Sequence, residues 1–376
     1  MPASSSSTAR RGATLAALTT VGTVVFAPAA SAAPPCGATV ITSTTVTADL
    51  TNCPGDGLIV GRSGITINLN GHTIDGVGLG VGIRNNGFDD VTITGPGRIT
   101  EFDHGVQFNP GTLRNRVRNA TLTLNEFSGV QLNNADTDNQ VTGNTITGQS
   151  KDGVSIVAGS TGNLVRSNTI TGNQGIGVSI DSSNSNRIEL NQIIDASDRG
   201  VELTSADSNT LLTNTVRTSG DAGVFIGIGS DSNLLQTNTV TDIGDAGLLI
   251  QGGNNNRLLS NISQRNSDSG ISVQDAANTE IRGNNVRFNP SGIEANTISG
   301  GVVAGNTATD VTGVGISFEG ATGTQVLNNT ASSNEADGIF VASITAPGLL
   351  IRGNTASSNQ ADGIHVAGSG HTITAN

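Results

Sequence analysis

The chain of 376 residues contains neither tryptophan nor tyrosine, and it has nine phenylalanines. Sugar-binding sites usually present aromatic platforms, so this scarcity argues against a high-affinity lectin. Basic residues are also scarce, with 18 Lys and Arg against 30 Asp and Glu. The chain therefore lacks the basic stripe that phosphate neutralisation requires, which excludes nucleic acid and disfavours an anionic membrane surface.

Long apolar runs are missing, and the one near the N-terminus has the features of a secretory signal. Arg10 and Arg11 precede the small apolar segment Ala13–Val25, and Ala30-Ser31-Ala32 forms a small-residue cleavage site. The apolar segment is too short to span a membrane as a mature helix. Residues 1–32 are therefore predicted to be a signal peptide that is cleaved near Ala32, which makes the protein secreted or extracellular. Removing the two arginines leaves 16 basic against 30 acidic residues, a net charge of −14.

Cysteine is nearly absent, and both copies, Cys36 and Cys53, lie at the start of the mature chain. In an exported protein they favour a disulfide that closes a loop of about 18 residues and contributes about 3 kcal/mol. A metal pair is the alternative, although no histidine or third cysteine lies nearby. Residues 33–61 are interpreted as a disulfide-stapled cap that covers the open edge of the first turn.

What the chain does contain is a repeat. Two residue series run in phase through it, and the glycine series advances by 22 to 25 residues at each step. The glycine series is Gly82, Gly105, Gly129, Gly153, Gly177, Gly200, Gly223, Gly247, Gly270, Gly292, Gly315, Gly338 and Gly363. The asparagine series is Asn119, Asn144, Asn168, Asn191, Asn214, Asn238, Asn261, Asn284, Asn306, Asn329, Asn354 and Asn376. A fixed period of this length indicates a solenoid.

Three short apolar segments recur within each repeat. Residues one and three positions after the glycine are apolar, as in Val154 and Ile156, and this alternation is typical of a strand. Further apolar residues lie three before and two after the asparagine, as in Val165 and Ile170. The sequence therefore predicts an all-β parallel coil over residues 62–376, with three short strands per rung and about 13 rungs. Because Asn376 falls at the asparagine position, the chain is predicted to end mid-coil with an open edge.

The asparagines have a structural explanation that needs no ligand. Asparagine tolerates the left-handed backbone conformation of a tight corner. When it is stacked on the next rung, its amide can also hydrogen-bond its neighbour in an internal ladder. The glycines are predicted to mark positions with too little room for a Cβ.

The segment from Cys36 to Gly76 resembles the opening of secreted bacterial proteins with a right-handed parallel β-helix, within the pectin-lyase-like superfamily. Its run Asn68-Leu69-Asn70-Gly71-His72-Thr73-Ile74 is close to their first-coil signature, and the later repeats resemble the repeat of pectate lyases and polyuronate epimerases. The resemblance covers nearly all of the mature chain and implies a single-stranded right-handed parallel β-helix. For activity it leaves several classes open, because the superfamily includes lyases, hydrolases, epimerases, adhesins and proteins without known chemistry. Its polyuronate lyases and epimerases remove the proton at C5 of a uronate.

A polar column just before the glycines holds the candidate catalytic residues. A histidine or lysine would supply the base, an arginine would hold the carboxylate of the uronate, and the aspartate pair would bind calcium. The candidates are His104, Lys151, Asp152, Arg199 and Glu202. The alternative is that they are ordinary turn residues, because aspartate before a tight corner often accepts local backbone N–H bonds.

One corner also carries four carboxylates on consecutive rungs, at Asp198, Asp221, Asp245 and Asp268. Like charges about 5 Å apart repel one another, and calcium between rungs would compensate them. Hydrogen bonds and solvent exposure offer the same compensation without a metal. Copper is disfavoured because the four histidines lie towards opposite ends of the chain and the only methionine is the initiator.

Two hypotheses for function follow. The first is an exported protein that binds or processes an acidic polysaccharide, as a polyuronate lyase or epimerase would. The second is a non-catalytic surface or adhesive solenoid that binds a protein or glycan partner. An apolar patch at Phe225 and Leu249, which occupy outward positions on consecutive rungs, favours an interface, including self-association. The open C-terminal edge is a second candidate surface for self-association.

Overall fold

The structure is a computed structural model that describes residues 1–5, 33–342 and 348–376. Most of the predicted signal peptide, including its arginines and its apolar segment, lies outside the described residues. A compact unit begins at Ala33 and extends to Asn376. No stretch of the described residues forms a helix with the length and hydropathy needed to cross a bilayer.

The described chain forms three parallel sheets, and successive strands of the chain pass from one sheet to the next. The first sheet has 15 strands, and its strands follow the glycine series. They are Ala38–Val40, Leu58–Val60, Val81–Asn86, His104–Asn109, Ser128–Leu132, Asp152–Val157, Val178–Asp181, Val201–Thr204, Val224–Ile226, Leu248–Gln251, Ser269–Gln274, Ser291–Asn296, Ile316–Glu319, Ile339–Ala342 and Ile364–Ala367.

The second sheet also has 15 strands, and they precede the asparagines. They are Thr44–Thr45, Thr66–Asn68, Thr92–Thr94, Arg116–Arg118, Gln140–Thr142, Leu164–Arg166, Arg187–Glu189, Thr210–Leu212, Leu234–Gln236, Arg257–Leu259, Glu280–Arg282, Val302–Ala304, Gln325–Leu327, Leu350–Arg352 and Thr372–Thr374.

The third sheet has 12 strands, and they follow the asparagines. They are Thr73–Asp75, Arg98–Thr100, Thr121–Thr123, Thr145–Thr147, Thr169–Thr171, Gln192–Ile194, Thr215–Arg217, Thr239–Thr241, Ile262–Gln264, Asn285–Arg287, Thr307–Thr309 and Thr330–Ser332. The predicted coil with three short strands per rung is confirmed. The first sheet has more strands than the predicted 13 rungs because Ala38–Val40 and Leu58–Val60, within the predicted cap, also belong to it.

The core is a continuous stack of aliphatic side chains inside the coil. On one rung Val178 and Ile180 come from the first sheet, Ile188 from the second and Ile193 from the third, and all four are fully buried. Gly177 lies where these layers come closest. A Cβ on Gly177 would lie 2.3 Å from Cγ2 of Ile193 and 2.5 Å from the carbonyl oxygen of Gly200. The glycine series therefore marks a close approach of backbone to core, as predicted.

The asparagine series forms an internal ladder. Each side-chain oxygen accepts the backbone N–H of the asparagine one rung earlier, and the ladder runs through Asn144, Asn168, Asn191, Asn214, Asn238, Asn261, Asn284, Asn306, Asn329, Asn354 and Asn376. The expectation that these asparagines hold the left-handed corner is wrong. The residue before the asparagine holds it, as in Ser167 with φ 54° before Asn168. The inward-pointing amide is fixed by its ladder bonds, so the turn is made one residue earlier.

Asn119 is outside this ladder. It has φ 54° itself, and Ala120 takes the ladder position on that rung by donating its N–H to Asn144 Oδ1 at 3.0 Å. A second ladder, which was not predicted, runs through Asn115, Asn139, Asn163, Asn186, Asn209, Asn233 and Asn256. Its spacing of 23 to 24 residues was visible in the sequence.

The predicted disulfide is present. Cys36 and Cys53 are bonded, with 5.4 Å between their Cα atoms. Cys53 is fully buried against the first turns of the core. The bond links the start of the first strand, Ala38–Val40, to the turn that leads into the second strand of the same sheet, Leu58–Val60.

Candidate functional site

The outer face of the first sheet presents one side chain per rung in a straight column. Parallel pairing aligns Gln107 with Gln131, Gln131 with Ser155, and Ser155 with Ser179. The residues on either side of each, such as Val154 and Ile156, are buried in the core. The column continues through Glu202, Phe225 and Leu249.

A groove of about 310 Å³ lies at one edge of this face. Three of the five predicted catalytic residues, His104, Lys151 and Asp152, line it together with Phe127 and Ser128. His104, Ser128 and Asp152 are partners on three consecutive strands, so the sheet register brings them together. At these three rungs the polar residues before the glycines therefore align in a column, as their spacing predicts.

Two aromatic contacts shape the floor of the groove. The ring centroids of His104 and Phe127 are 5.5 Å apart. Nζ of Lys151 lies 4.9 Å from the centroid of the Phe127 ring. Ser128 is buried, and its Oγ lies 2.8 Å from His104 Nδ1. Phe127 therefore supports both the imidazole and the ammonium group, and Ser128 fixes the orientation of the imidazole.

Burial shifts the pKa of two groups in the groove. It lowers the pKa of His104 to about 4, and the nearby positive charge of Arg84 acts in the same direction, against Asp103. Burial also raises the pKa of Asp152, and the negative charges of Glu202 and Asp198 add to this effect. The backbone N–H of Ile176, which donates to Asp152 Oδ1 at 3.0 Å, opposes the rise. His104 is thus a neutral imidazole at neutral pH, ready to accept a proton.

Lys151 is the only lysine in the chain. Its side chain makes no ion pair with any other residue that the structure describes, in contrast to the arginines around it. An exposed ammonium group over an aromatic ring, beside a neutral imidazole, can hold a carboxylate of a ligand. That Lys151 is the single lysine is visible in the sequence and distinguishes it from the other candidate residues.

Arg199 and Glu202 form a separate cluster beyond the groove. Arg199 Nη1 lies 2.9 Å from Glu202 Oε2, and its Nε lies 3.0 Å from Asp221 Oδ2. The guanidinium carbon is 3.9 Å from the centroid of Phe225. Arg199 therefore already has two carboxylate partners, and neither it nor Glu202 lines the groove. Their predicted catalytic role stays a prediction that this arrangement does not favour.

The four aspartates of the predicted calcium corner lie on consecutive rungs, but they are not equivalent. Asp198 and Asp268 are exposed, whereas Asp221 and Asp245 are partly buried. Burial raises the pKa of Asp245, and its hydrogen bond and charge repulsion with Asp221 raise it further. The structure thus brings Asp221 and Asp245 together, with Arg199 bonded to Asp221. Calcium at this corner remains a prediction.

The predicted apolar patch is partly covered. Phe225 and Leu249 are partners on adjacent strands, and both are half-buried. Arg199 lies over the ring of Phe225, which reduces the apolar area that a partner protein would meet. The prediction of a partner surface at Phe225 and Leu249 is neither strengthened nor overturned by this contact.

A group that could hold a metal ion lies elsewhere on the first sheet. Asp337, Asp362 and His365 place one ligand atom each within 4.8 Å of one another, and no other described residues do so in threes. Asp337 and Asp362 precede Gly338 and Gly363, so they continue the same polar column. Following that column to the end of the repeat would have identified them from the sequence.

The fold has counterparts among solved structures. The A-module of the mannuronan C-5 epimerase AlgE4 from Azotobacter vinelandii superposes with a TM-score of 0.58 and 13% sequence identity, covering 90% of this chain and 91% of that chain. The Dettilon tailspike protein gives a TM-score of 0.52 and 17% identity over 81% of this chain and 62% of that chain. Gene product 12 of bacteriophage phi29 gives 0.53 and 11% over 86% of this chain and 53% of that chain.

At these identities the likeness concerns the fold alone. No match was found among curated protein sequences. A family model described as the right-handed β-helix region matches residues 56–239, 161–302 and 225–376. These overlapping matches extend over most of the chain and agree with the three parallel sheets. The chain therefore belongs to the right-handed β-helix family.

Proposed function

We propose that this chain is an exported protein that binds an acidic polysaccharide and acts on its uronate residues in the groove at His104 and Lys151. The observation that carries the proposal is the pairing of a neutral imidazole with the only lysine of the chain in one groove. Export is supported by the Cys36–Cys53 disulfide, because such bonds persist in oxidising compartments. The shared fold with a mannuronan C-5 epimerase makes a polyuronate the first substrate class to test.

The residues divide the chemistry between them. Lys151 pairs with the carboxylate of the sugar, which stabilises the negative charge that develops when the neighbouring C5 loses its proton. His104 accepts that proton. If Nδ1–H donates to Ser128 Oγ, the lone pair of Nε2 is free for this role. In a lyase reaction the imidazolium of His104 can return this proton to the oxygen that leaves C4. In an epimerase reaction a second group must give a proton to the opposite face of C5, and Asp152 is the candidate because it lines the same groove and burial raises its pKa.

The test is a panel of polyuronates. A lyase product is detected by the ultraviolet absorbance of the unsaturated uronate, and epimerisation is detected by proton NMR of the sugar. We expect His104→Gln to reduce turnover by about 100-fold or more, as loss of a general base does. Lys151→Met should weaken binding and also reduce turnover, and Lys151→Arg should retain part of both because the charge is kept.

The matched control is His72→Gln, which removes an imidazole that bonds to Asp49 outside the groove. Its activity should equal that of the unchanged protein. The proposal fails if no polyuronate is bound or converted, or if His104→Gln leaves turnover unchanged.

We also propose that calcium binds between Asp221 and Asp245. The support is the unfavourable proximity of these two carboxyl groups, which a cation would relieve. Calorimetric titration with calcium tests this. Binding that disappears in Asp245→Asn would support the site, and a flat titration would leave the corner as turn chemistry.

The alternative function is a non-catalytic surface solenoid whose partner binds at the half-buried pair Phe225 and Leu249. Binding without any product on the polyuronate panel, lost in Leu249→Asp and kept in His104→Gln, would favour this alternative over the catalytic proposal. Self-association through the same pair would be detected by sedimentation of the unchanged protein and of Leu249→Asp.

A further inference from the structure

Asp337, Asp362 and His365 meet on the outer face of the first sheet, far along the sequence from the groove. The strand Ile339–Ala342 pairs in parallel with Ile364–Ala367, with Ile339 opposite Ile364. This register places Asp337 and Asp362 at equivalent positions on adjacent rungs. His365 projects from the second of these strands.

The distances between the donor atoms suit a shared cation. His365 Nδ1 lies 3.2 Å from Asp362 Oδ2 and 3.9 Å from Asp337 Oδ2. Ligands held at about 2.0–2.2 Å from one transition-metal ion lie roughly 3–4 Å from one another. Only a small movement of the side chains would therefore be needed to bring all three onto one ion.

Two of the three side chains are held in place by other contacts. Asp337 Oδ1 accepts the backbone N–H of Asp362 at 2.8 Å, and the side chain of Asp337 is only 15% exposed. The ring of His365 packs on Phe340, with 5.3 Å between the centroids. Asp362 is 69% exposed and free to adjust. Two anchored ligands and one adjustable ligand form a site that can close on a cation.

No arginine neutralises the charge of this group among the described residues, whereas arginines pair with several other carboxylates on the surface. Arg114 pairs with Asp90, Arg265 pairs with Asp242, and Arg257 pairs with Glu280. Within the described residues, Asp337 and Asp362 form ion pairs only with His365. Two adjacent carboxylates without an arginine leave a local negative charge that a divalent ion would neutralise.

We propose that Asp337, Asp362 and His365 bind a divalent first-row transition-metal ion of the Zn²⁺ class. The mixed donor set decides the class, because Ca²⁺ takes six to eight oxygen ligands, whereas an imidazole nitrogen with carboxylates suits Zn²⁺ and its neighbours. Three protein ligands leave at least one coordination position open to water or to a ligand group. This site is independent of the groove and of the proposed action on polyuronates.

The experiment uses the full chain after removal of metals with a chelator. Calorimetric titration with ZnCl₂ should show one ion bound per chain, with a raised melting temperature. A parallel titration with CaCl₂ should show much weaker binding at this site. His365→Asn and Asp362→Asn should each weaken Zn²⁺ binding by more than 10-fold, with unchanged circular dichroism.

His72→Asn provides the matched control. His72 also pairs with one aspartate, at 3.1 Å from Asp49, but this pair has no second carboxylate. This variant should keep full Zn²⁺ affinity. Binding of Co²⁺ gives a second readout, because its visible absorption band should appear in the unchanged protein and disappear in His365→Asn.

The inference is overturned if Zn²⁺ does not bind, or if both His365→Asn and Asp362→Asn retain full affinity. Preferential binding of Ca²⁺ at these residues would overturn the proposed class of metal. If His365→Asn fails to fold, Asp362→Asn decides the question, since that side chain is largely exposed. Failure of the polyuronate assays would have no bearing on any of these outcomes.

Discussion

At the scale of single residues, the groove combines a largely buried imidazole, His104, with an exposed ammonium group, Lys151. His104 is packed against Phe127 and bonded to buried Ser128, so its charged form is poorly solvated. Lys151 is exposed and keeps its charge available to a ligand. A neutral imidazole and an exposed ammonium group therefore lie side by side. The proposed mechanism requires this arrangement, because one group would accept the C5 proton while the other holds the carboxylate of the uronate.

The pKa of His104 can be tested directly. Because it is about 4 in the folded protein and about 6.5 in an unfolded chain, the unfolded state binds more protons between these pH values. The contribution of His104 to the free energy of unfolding is therefore complete above about pH 6.5 and is lost as the pH falls towards 4. After allowance for its partial exposure, we expect this loss to be roughly 1–3 kcal/mol.

Proton NMR of the imidazole ring, assigned by comparison with His104→Gln, measures this pKa. Urea unfolding at pH 7 and pH 4.5 measures the stability, and His104→Gln should lose less stability between these pH values than the unchanged protein. A ring that titrates near pH 6.5 would contradict the assignment of His104 as a buried neutral base.

At the scale of the repeating element, the asparagine ladders are the main polar interior of the coil. Asn214 donates to Ile188 O at 2.8 Å and to Asn238 Oδ1 at 3.1 Å, and its own oxygen accepts the backbone N–H of Asn191 at 3.1 Å. Each of these bonds joins neighbouring rungs. The asparagine side chains therefore hydrogen-bond the buried backbone N–H and C=O groups for which the aliphatic core offers no partner.

Asn214→Ala should destabilise the protein by about 2–4 kcal/mol, because it leaves the N–H of Asn191 and the carbonyl of Ile188 buried without these partners. Gln192→Ala is the matched control. Gln192 is exposed on the next strand after Asn191, and its replacement should change the stability by no more than about 0.5 kcal/mol. Chemical unfolding of both variants measures the difference, and equal stability of the two would contradict a supporting role for the ladder.

The repeat shows which parts of this element were predictable. Gly177 and Val178 indicated strand positions in the first sheet. Close packing of the backbone requires glycine, and a strand with one buried face requires apolar residues at alternate positions, so both features are visible in the sequence. The left-handed corner at Ser167 was not predictable from Asn168, because two different residues share the work at this corner. Asn168 directs its side chain into the coil, whereas Ser167 adopts the left-handed backbone conformation. The column containing Asp152 was predictable from spacing, whereas the pairing of Arg199 with Asp221 depends on side-chain rotamers that spacing does not determine.

At the scale of the whole coil, each rung contacts mainly the rungs before and after it. The sheets order their strands strictly by position in the chain, so each described strand pairs only with strands one rung away. The free energy of unfolding of such a molecule is approximately the sum of the intrinsic stability of each rung and the interaction energy between adjacent rungs. A local change should therefore act locally, which distinguishes this architecture from a globular domain with one shared core.

The disulfide provides the test. Cys36→Ser with Cys53→Ser removes a crosslink between residues 17 apart in sequence, and the chain-entropy estimate for its contribution is about 3 kcal/mol. We expect amide hydrogen exchange to accelerate in the first strands, Ala38–Val40 and Leu58–Val60, because these are the rungs that the bond holds together. Exchange in the central strands Thr210–Leu212 and Val224–Ile226 should be unchanged, and these peptides serve as the internal control. A uniform loss of protection along the coil would show instead that the rungs unfold as one cooperative unit, because the loss of one terminal bond would then lower the stability of every rung equally.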